Sequence, residues 1–308
     1  MSFKTALLGM TILAMAAPAL AQTIDTEETK LDTVIVSGSR LDQTASEVGS
    51  SVSIISAETI DKLGFDFALD AIASAPGVTI NQSGSFGGNA TVRIRGASSD
   101  QTLVLMDGVP INDPSGTGGG YNFAYLDTEN IERIEVLKGP QSTLWGSDAI
   151  GGVVAITTKR PADGLGGSAF GEYGSFNTFR GGASIGGAND TGDFRIAATG
   201  ITTDGISKAD EANGNTEKDG YDSTTLSARG GLNLPSRMRL DGTLLYSDAT
   251  SEYDSYSGGA QGSTADGDES TESDSLSGNL SLKVPLFDDR LENLFVVGYS
   301  DISRKNFT

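Results

Sequence analysis

The side chains of this sequence best placed for chemistry are carboxylates. Between Gly200 and Ser275 lie 15 Asp and Glu against five Lys and Arg, a local balance of −10 in a chain whose whole net charge is −20. Crowded carboxylates repel one another, and a hard cation such as calcium, which takes about six to eight oxygen ligands, would order them. The other reading is a solvated, extended acidic surface. Most other chemistry is closed. With no Cys there is no thiolate zinc site, thiol nucleophile or disulfide scaffold. With no His there is no Ser-His-Asp triad and no His-ligated metal. The chain is therefore expected not to be an enzyme and to need no cofactor for chemistry. An excess of 41 acids over 21 bases also argues against a nucleic-acid partner.

The acids sit in a region, residues 163–308, whose period is two nearly throughout. Leu276, Gly278, Leu280, Leu282 and Val284 share one face, and Ser275, Ser277, Asn279, Ser281 and Lys283 the other. Leu226–Leu234 and Met238–Tyr246 repeat the pattern. Tight turns at 233–237 and 285–290 alternate with long polar loops expected at 203–220 and 250–272. Such strands fit an outer-membrane β-barrel, and a soluble β-sandwich also alternates. The Gly/Ser-rich second face and the loop asymmetry favour the barrel. So does the start of the chain: one charge at Lys4, an apolar run from Ala6 to Ala17, and Ala19-Leu20-Ala21 before Gln22 read as a secretory signal peptide over residues 1–21, removed after Ala21. No later stretch is apolar enough for a spanning helix, so membrane residence would require a barrel.

Two zones lie between. Residues 22–44 form a polar leader with one apolar island, Asp32-Thr33-Val34-Ile35-Val36. This island suits either strand addition to another protein's sheet or service as a first strand of the next domain. Residues 45–162 read as a compact α+β domain: a strand at 52–55, a helix capped by Ser56 and stopped near Gly64, a second helix at 66–74, and strands at 78–80, 91–96, 102–106, 131–137 and 151–157.

The wording of that domain carries a resemblance. Val92-Arg93-Ile94-Arg95-Gly96, Val104-Leu105-Met106-Asp107-Gly108-Val109-Pro110, Ile131 to Pro140 and Gly146 to Val154 follow the Asp32–Val36 island in order. This succession resembles the plug domain of TonB-dependent outer-membrane receptors, and within that family it is most similar to the receptors for vitamin B12 (cobalamin). The resemblance implies an α+β plug domain followed by the first strands of an antiparallel transmembrane β-barrel, about 22 strands if complete. It also implies a place in the outer membrane of a Gram-negative bacterium, among its lipids. Asp32, Thr33, Val34, Ile35 and Val36 would be the TonB box, pairing as a strand with TonB in the periplasm. The plug loops at Ser83–Asn89 and Asn112–Tyr121 would face outward, so that Ser83, Ser85, Phe86, Asn89, Asn112, Ser115 and Tyr121 touch ligand. Cobalamin is the expected ligand, and a siderophore or other metal chelate is the alternative.

Calcium enters again through the resemblance, because cobalamin receptors order their first long loops with aspartate-bound calcium. By that likeness Asp219 and Asp254 are the leading ligands, followed by Glu217, Asp210, Asp266 and Asp268. Glu217 departs from the aspartate expected there. Arg93, Arg95, Glu132, Arg133 and Glu135 read as strand charges whose internal ion pairs seat the plug. About seven strands follow residue 163, too few to close around a plug, so an N-terminal part of a longer receptor is expected. A non-transporting plug module is the remaining alternative.

Overall fold

The computed structural model describes residues 34–35, 43–44, 49–84, 86–113, 119–209, 216–255, 265–287 and 290–307. The signal-peptide reading of residues 1–21 lies outside them. So do Asp32, Thr33 and Val36, Ser85, Ser115 and Asp210, and the side chains of Val34, Ile35 and Asp266. Val34–Ile35 (β1) pairs antiparallel with Gln43–Thr44 (β2).

The α+β domain opens with Ser51–Ser56 (β3) and runs directly into Ala57–Leu63 (α1). The helix starts where it does because the Ser56 hydroxyl accepts the Thr59 N–H at 3.3 Å. Glu58 lies in the first turn and Lys62 in the last, matching the helix dipole. Gly64 ends it at φ 65°, a left-handed cap that glycine adopts without steric cost. Replacing Ser56 with Ala is expected to destabilise this domain by about 1 kcal/mol, read as a lower urea midpoint. The second helix, Ala68–Ala73 (α2), is shorter than the expected 66–74.

Val78–Gln82 (β4) and Ala90–Ile94 (β5) form a hairpin. Thr102–Met106 (β6), Val109–Pro110 (β7), Ile131–Lys138 (β8) and Gly152–Thr158 (β9) complete a five-stranded sheet with β3, in the order β3-β8-β9-β6-β7. β6 runs parallel to β9 and is buried at every residue, as its unbroken Leu-Val-Leu-Met run requires. Asp107 and Gly108 link β6 to β7 with φ of 46° and 85°, the two-residue turn that Asp-Gly favours. Ile60, Leu69 and Ile72 from the helices pack with Val92, Ile94, Val104, Phe123, Ile134, Val136, Val154 and Ile156. The short helix Ser142–Trp145 (α3) had no periodic signal, since four residues are scarcely more than one turn.

Seven strands follow: Gly164–Tyr173 (β10), Phe179–Asn189 (β11), Gly192–Thr203 (β12), Tyr221–Asn233 (β13), Arg239–Ser255 (β14), Ala265–Leu286 (β15) and Leu291–Phe307 (β16). They pair antiparallel in chain order as one sheet. Leu226, Leu244 and Leu280 are exposed on one face. Ser223, Thr225, Ser247 and Ser273 are buried on the other, against the α+β domain.

One expectation is corrected. Residues 250–272 are not a single long loop: β14 continues to Ser255 and β15 begins at Ala265, with Thr250 opposite Glu272 and Ser251 opposite Thr271. The ladder outruns the apolar band, and its polar extension has no hydrophobic alternation to announce a strand.

Candidate functional site

The acidic stretch converges where β12, β13, β14 and the start of β15 meet. Oxygens of Glu217, Asp219 and Asp254 lie within 4.8 Å of one another. Asp219 is 1% and Asp254 7% exposed. The Lys208 N–H donates to Asp219 Oδ2, and the Ala209 N–H donates to Asp254 Oδ2. Ser207 Oγ adds a bond to Asp254 Oδ2 at 3.3 Å. Glu217 Oε1 accepts the Gly267 N–H at 2.7 Å, which draws the start of β15 into the cluster. Asp254 Oδ1 is buried and has no hydrogen-bond partner among the described residues. A buried carboxylate oxygen without a donor is costly, and a cation removes the cost.

The electrostatics point the same way. Burial pushes the Asp219 carboxyl up to about 6, the Lys208 amide opposes the rise and the Asp254 carboxylate adds to it. Lys208, whose charge interacts with these carboxylates, is itself held below the usual lysine range by burial, while Asp219, Asp254 and Glu252 act in the other direction. Its Nζ donates to Ser251 Oγ at 2.9 Å and to the Glu252 carbonyl. Among the described residues it forms no ion pair with a carboxylate. Three clustered carboxylates with an undonated oxygen therefore suit a hard, oxygen-seeking cation. Asp268 is exposed and stands outside this cluster.

The 83–89 loop of the α+β domain lies against the same spot. A Cβ on Gly84 would fall 2.5 Å from Lys208 Cγ, and one on Gly87 would fall 2.5 Å from both Ser251 Oγ and Tyr221 Cδ2. Both glycines have positive φ, 73° and 70°, so sterics and backbone alike require glycine there. Phe86 packs on Phe67 at 6.0 Å, Phe67 meets the Tyr221 ring edge at 6.4 Å, and Tyr125 stacks on Tyr221 at 6.1 Å. Ser83 and Asn89 are exposed, and the Ser83 N–H closes the loop onto the Asn89 carbonyl at 3.0 Å. Asn112 is occupied internally: its Oδ1 accepts the Val104 N–H at 2.7 Å, and its Nδ2 reaches the Thr102 and Gly119 carbonyls at 3.1 Å each. Tyr121 stands edge-on to Phe123 at 4.8 Å.

The ion pairs that join the two layers are not the expected ones. Arg133 pairs with Glu135 at 2.8 Å and Glu132 at 3.6 Å, all within β8. Arg93 and Arg95 are exposed and make no ion pair among the described residues. The seating pairs come from the seven-stranded sheet instead: Arg180 to Asp66 at 3.1 Å, Arg229 to Asp107 at 3.1 Å, and Arg304 to Asp113 at 3.4 Å. Arg160, just past β9, reaches Asp241 at 3.3 Å. Arg229 was detectable, because it interrupts the small-residue face between Ser227 and Gly231.

Residues 44–153 match the TonB-dependent Receptor Plug Domain family. This segment is a TonB-dependent receptor plug. The chain is 43% identical over 127 residues to the vitamin B12 transporter BtuB of Vibrio vulnificus, covering 41% of this chain and 20% of that protein. It is 28% identical over 310 residues to the BtuB of Photobacterium profundum, covering 99% of this chain and 48% of the relative. The chain thus spans less than half the length of these curated relatives.

Solved structures agree on the fold. The siderophore receptor PiuA of Acinetobacter baumannii aligns at TM-score 0.66 and 19% identity, over 86% of this chain and 38% of that one. The ferric enterobactin receptor PfeA of Pseudomonas aeruginosa aligns at 0.61 and 21%, over 82% and 41%. Plug followed by an unclosed antiparallel wall is the architecture the sequence led us to expect.

Proposed function

We propose that this chain serves TonB-dependent uptake of a scarce, bulky ligand across the outer membrane of a Gram-negative bacterium, with the plug gating the passage, and that the ligand is cobalamin. The observation that carries the reading is the plug seated on the small-residue face of the wall, with its glycines Gly84 and Gly87 pressed onto Lys208, Ser251 and Tyr221 beside the carboxylate cluster. The choice of cobalamin is supported by likeness in sequence to vitamin B12 transporters over nearly the whole chain. The siderophore receptors share the fold at an identity too low to argue ligand.

In this reading the 32–36 segment is the TonB box. Val34 and Ile35 are already in strand form against Gln43–Thr44, so adding a partner strand extends a geometry the backbone holds. Ser83, Phe86, Asn89 and Tyr121 are the described plug-loop candidates for ligand contact, with Asn112 positioning its loop. No covalent step is required.

Glu217, Asp219 and Asp254 would hold calcium. The ion would cancel the repulsion among the carboxylates and so fix the loop between β12 and β13 to the end of β14. Calcium removal is expected to weaken cobalamin binding at least about tenfold and to speed amide exchange at 204–209 and 216–220. Cobalamin binding to purified receptor, measured with calcium and with chelator, tests both claims. An absence of cobalamin binding in either condition would overturn the ligand. Binding that ignores chelator, with unchanged exchange, would overturn the metal. Asp254→Asn should reproduce the chelator result without chelator.

A further inference from the structure

We propose that Lys208 is a built-in cation of the carboxylate cluster, which closes the cluster when no metal is bound, yields that role to a divalent cation, and ties the exchange to the 83–89 plug loop. The inference rests on the calcium reading above.

Lys208 holds the cluster in two separable ways. Its backbone N–H grips Asp219, and the next amide, at Ala209, grips Asp254. Its ammonium bonds Ser251 Oγ and the Glu252 carbonyl rather than a carboxylate oxygen. The ammonium therefore offsets negative charge without taking up a carboxylate oxygen. The undonated Asp254 Oδ1 remains available, so a metal ligand can be recruited without breaking either amide bond. An entering dication would feel the ammonium as like charge inside a partly desolvated pocket, where such repulsion is strong. The same side chain reaches the plug, because its Cγ lies where Gly84 has no side chain. Ser251, which accepts the ammonium's hydrogen bond, also faces Gly87. Whatever moves the ammonium moves the floor under the plug loop.

The sign of one substitution separates this device from a merely structural lysine. Lys208→Met keeps the stem on Gly84 and both backbone bonds, and removes only the charge. Titration of the purified chain in detergent with calcium alone should show about tenfold tighter binding for Lys208→Met, and binding near wild type for Lys208→Arg. Without metal, Lys208→Met should exchange amide hydrogens faster at 204–209 and 83–89, and saturating calcium should restore protection. Weaker or unchanged calcium binding, or metal-free exchange equal to wild type at 83–89, would overturn the proposal. If wild type takes up no calcium, the calcium reading fails by itself. The metal-free comparison then still decides whether Lys208 closes the cluster and ties it to the plug. Lys208→Gln, polar and uncharged, guards against a folding defect peculiar to Met and should follow Lys208→Met.

Discussion

Replacing Arg229 with Ala is expected to cost about 3 kcal/mol of the stability with which the plug sits in the wall. Arg229 Nη1 donates to Asp107 Oδ1 at 3.1 Å and to the Thr158 carbonyl and hydroxyl at 2.8 Å each. The two charged side chains are 9% and 7% exposed, so water cannot replace the lost partner. Asp107 would keep only Thr158, whose N–H and hydroxyl lie at 3.1 and 2.7 Å. A charge left buried without its counter-ion carries most of the penalty. The measurement is the urea midpoint, together with protease cleavage between β9 and β10. A loss under about 1 kcal/mol would show that the pair is effectively solvated. Arg229→Met combined with Asp107→Leu should lose less than the single Ala variant, because no orphan charge remains.

Gly87→Val is expected to lift the 83–89 loop off the wall. The new side chain would need a backbone at φ 70°, which β-branched residues avoid, and its Cβ would fall 2.5 Å from Ser251 Oγ and the Tyr221 ring. Strain and overpacking together should cost about 2–4 kcal/mol, and relief requires the loop to move. Amide exchange at 83–89 should rise, followed by exchange at Lys208, whose ammonium bonds Ser251. Gly96→Val is the matched control, since it too has a positive φ, 80°, while an added Cβ there meets nothing within 4 Å. Equal exchange in the two variants would mean that the loop does not rest on the wall.

Much of this architecture was legible before any coordinates. Ser56 and Gly64 bracket α1 by capping chemistry that acts within a few residues. β6 is buried because four successive apolar residues leave it no wet face. Leu226, Leu244 and Leu280 mark the outer face of the wall by alternation alone. The convergence of Glu217, Asp219 and Asp254 was foreseeable only through resemblance, because 35 residues separate Asp219 from Asp254 and the antiparallel register of β13 with β14 brings them together. The polar extensions of β14 and β15 gave no period-two signal. Arg229 stands out in its small-residue face, but nothing local marks Arg180, between Phe179 and Gly181, or Arg304, beside Lys305, and only the third dimension sets each of the three against an aspartate. The role of Gly84 and Gly87 could not be read from a Gly/Ser run, which looks the same whether it is solvated or pressed against a neighbour.

The wall facing the plug is made of hydroxyls and small side chains, with Ser223, Thr225, Ser247 and Ser273 buried beneath it. Such a surface is slippery in a thermodynamic sense. Each hydroxyl uncovered by a departing plug trades one hydrogen bond for another with water, at a small net change. Resistance to shear is therefore concentrated in a few ionic rivets and in the rings packed around Tyr221, rather than spread over the interface. A pulling force would meet discrete yield points at Arg180, Arg229 and Arg304, with low friction between them.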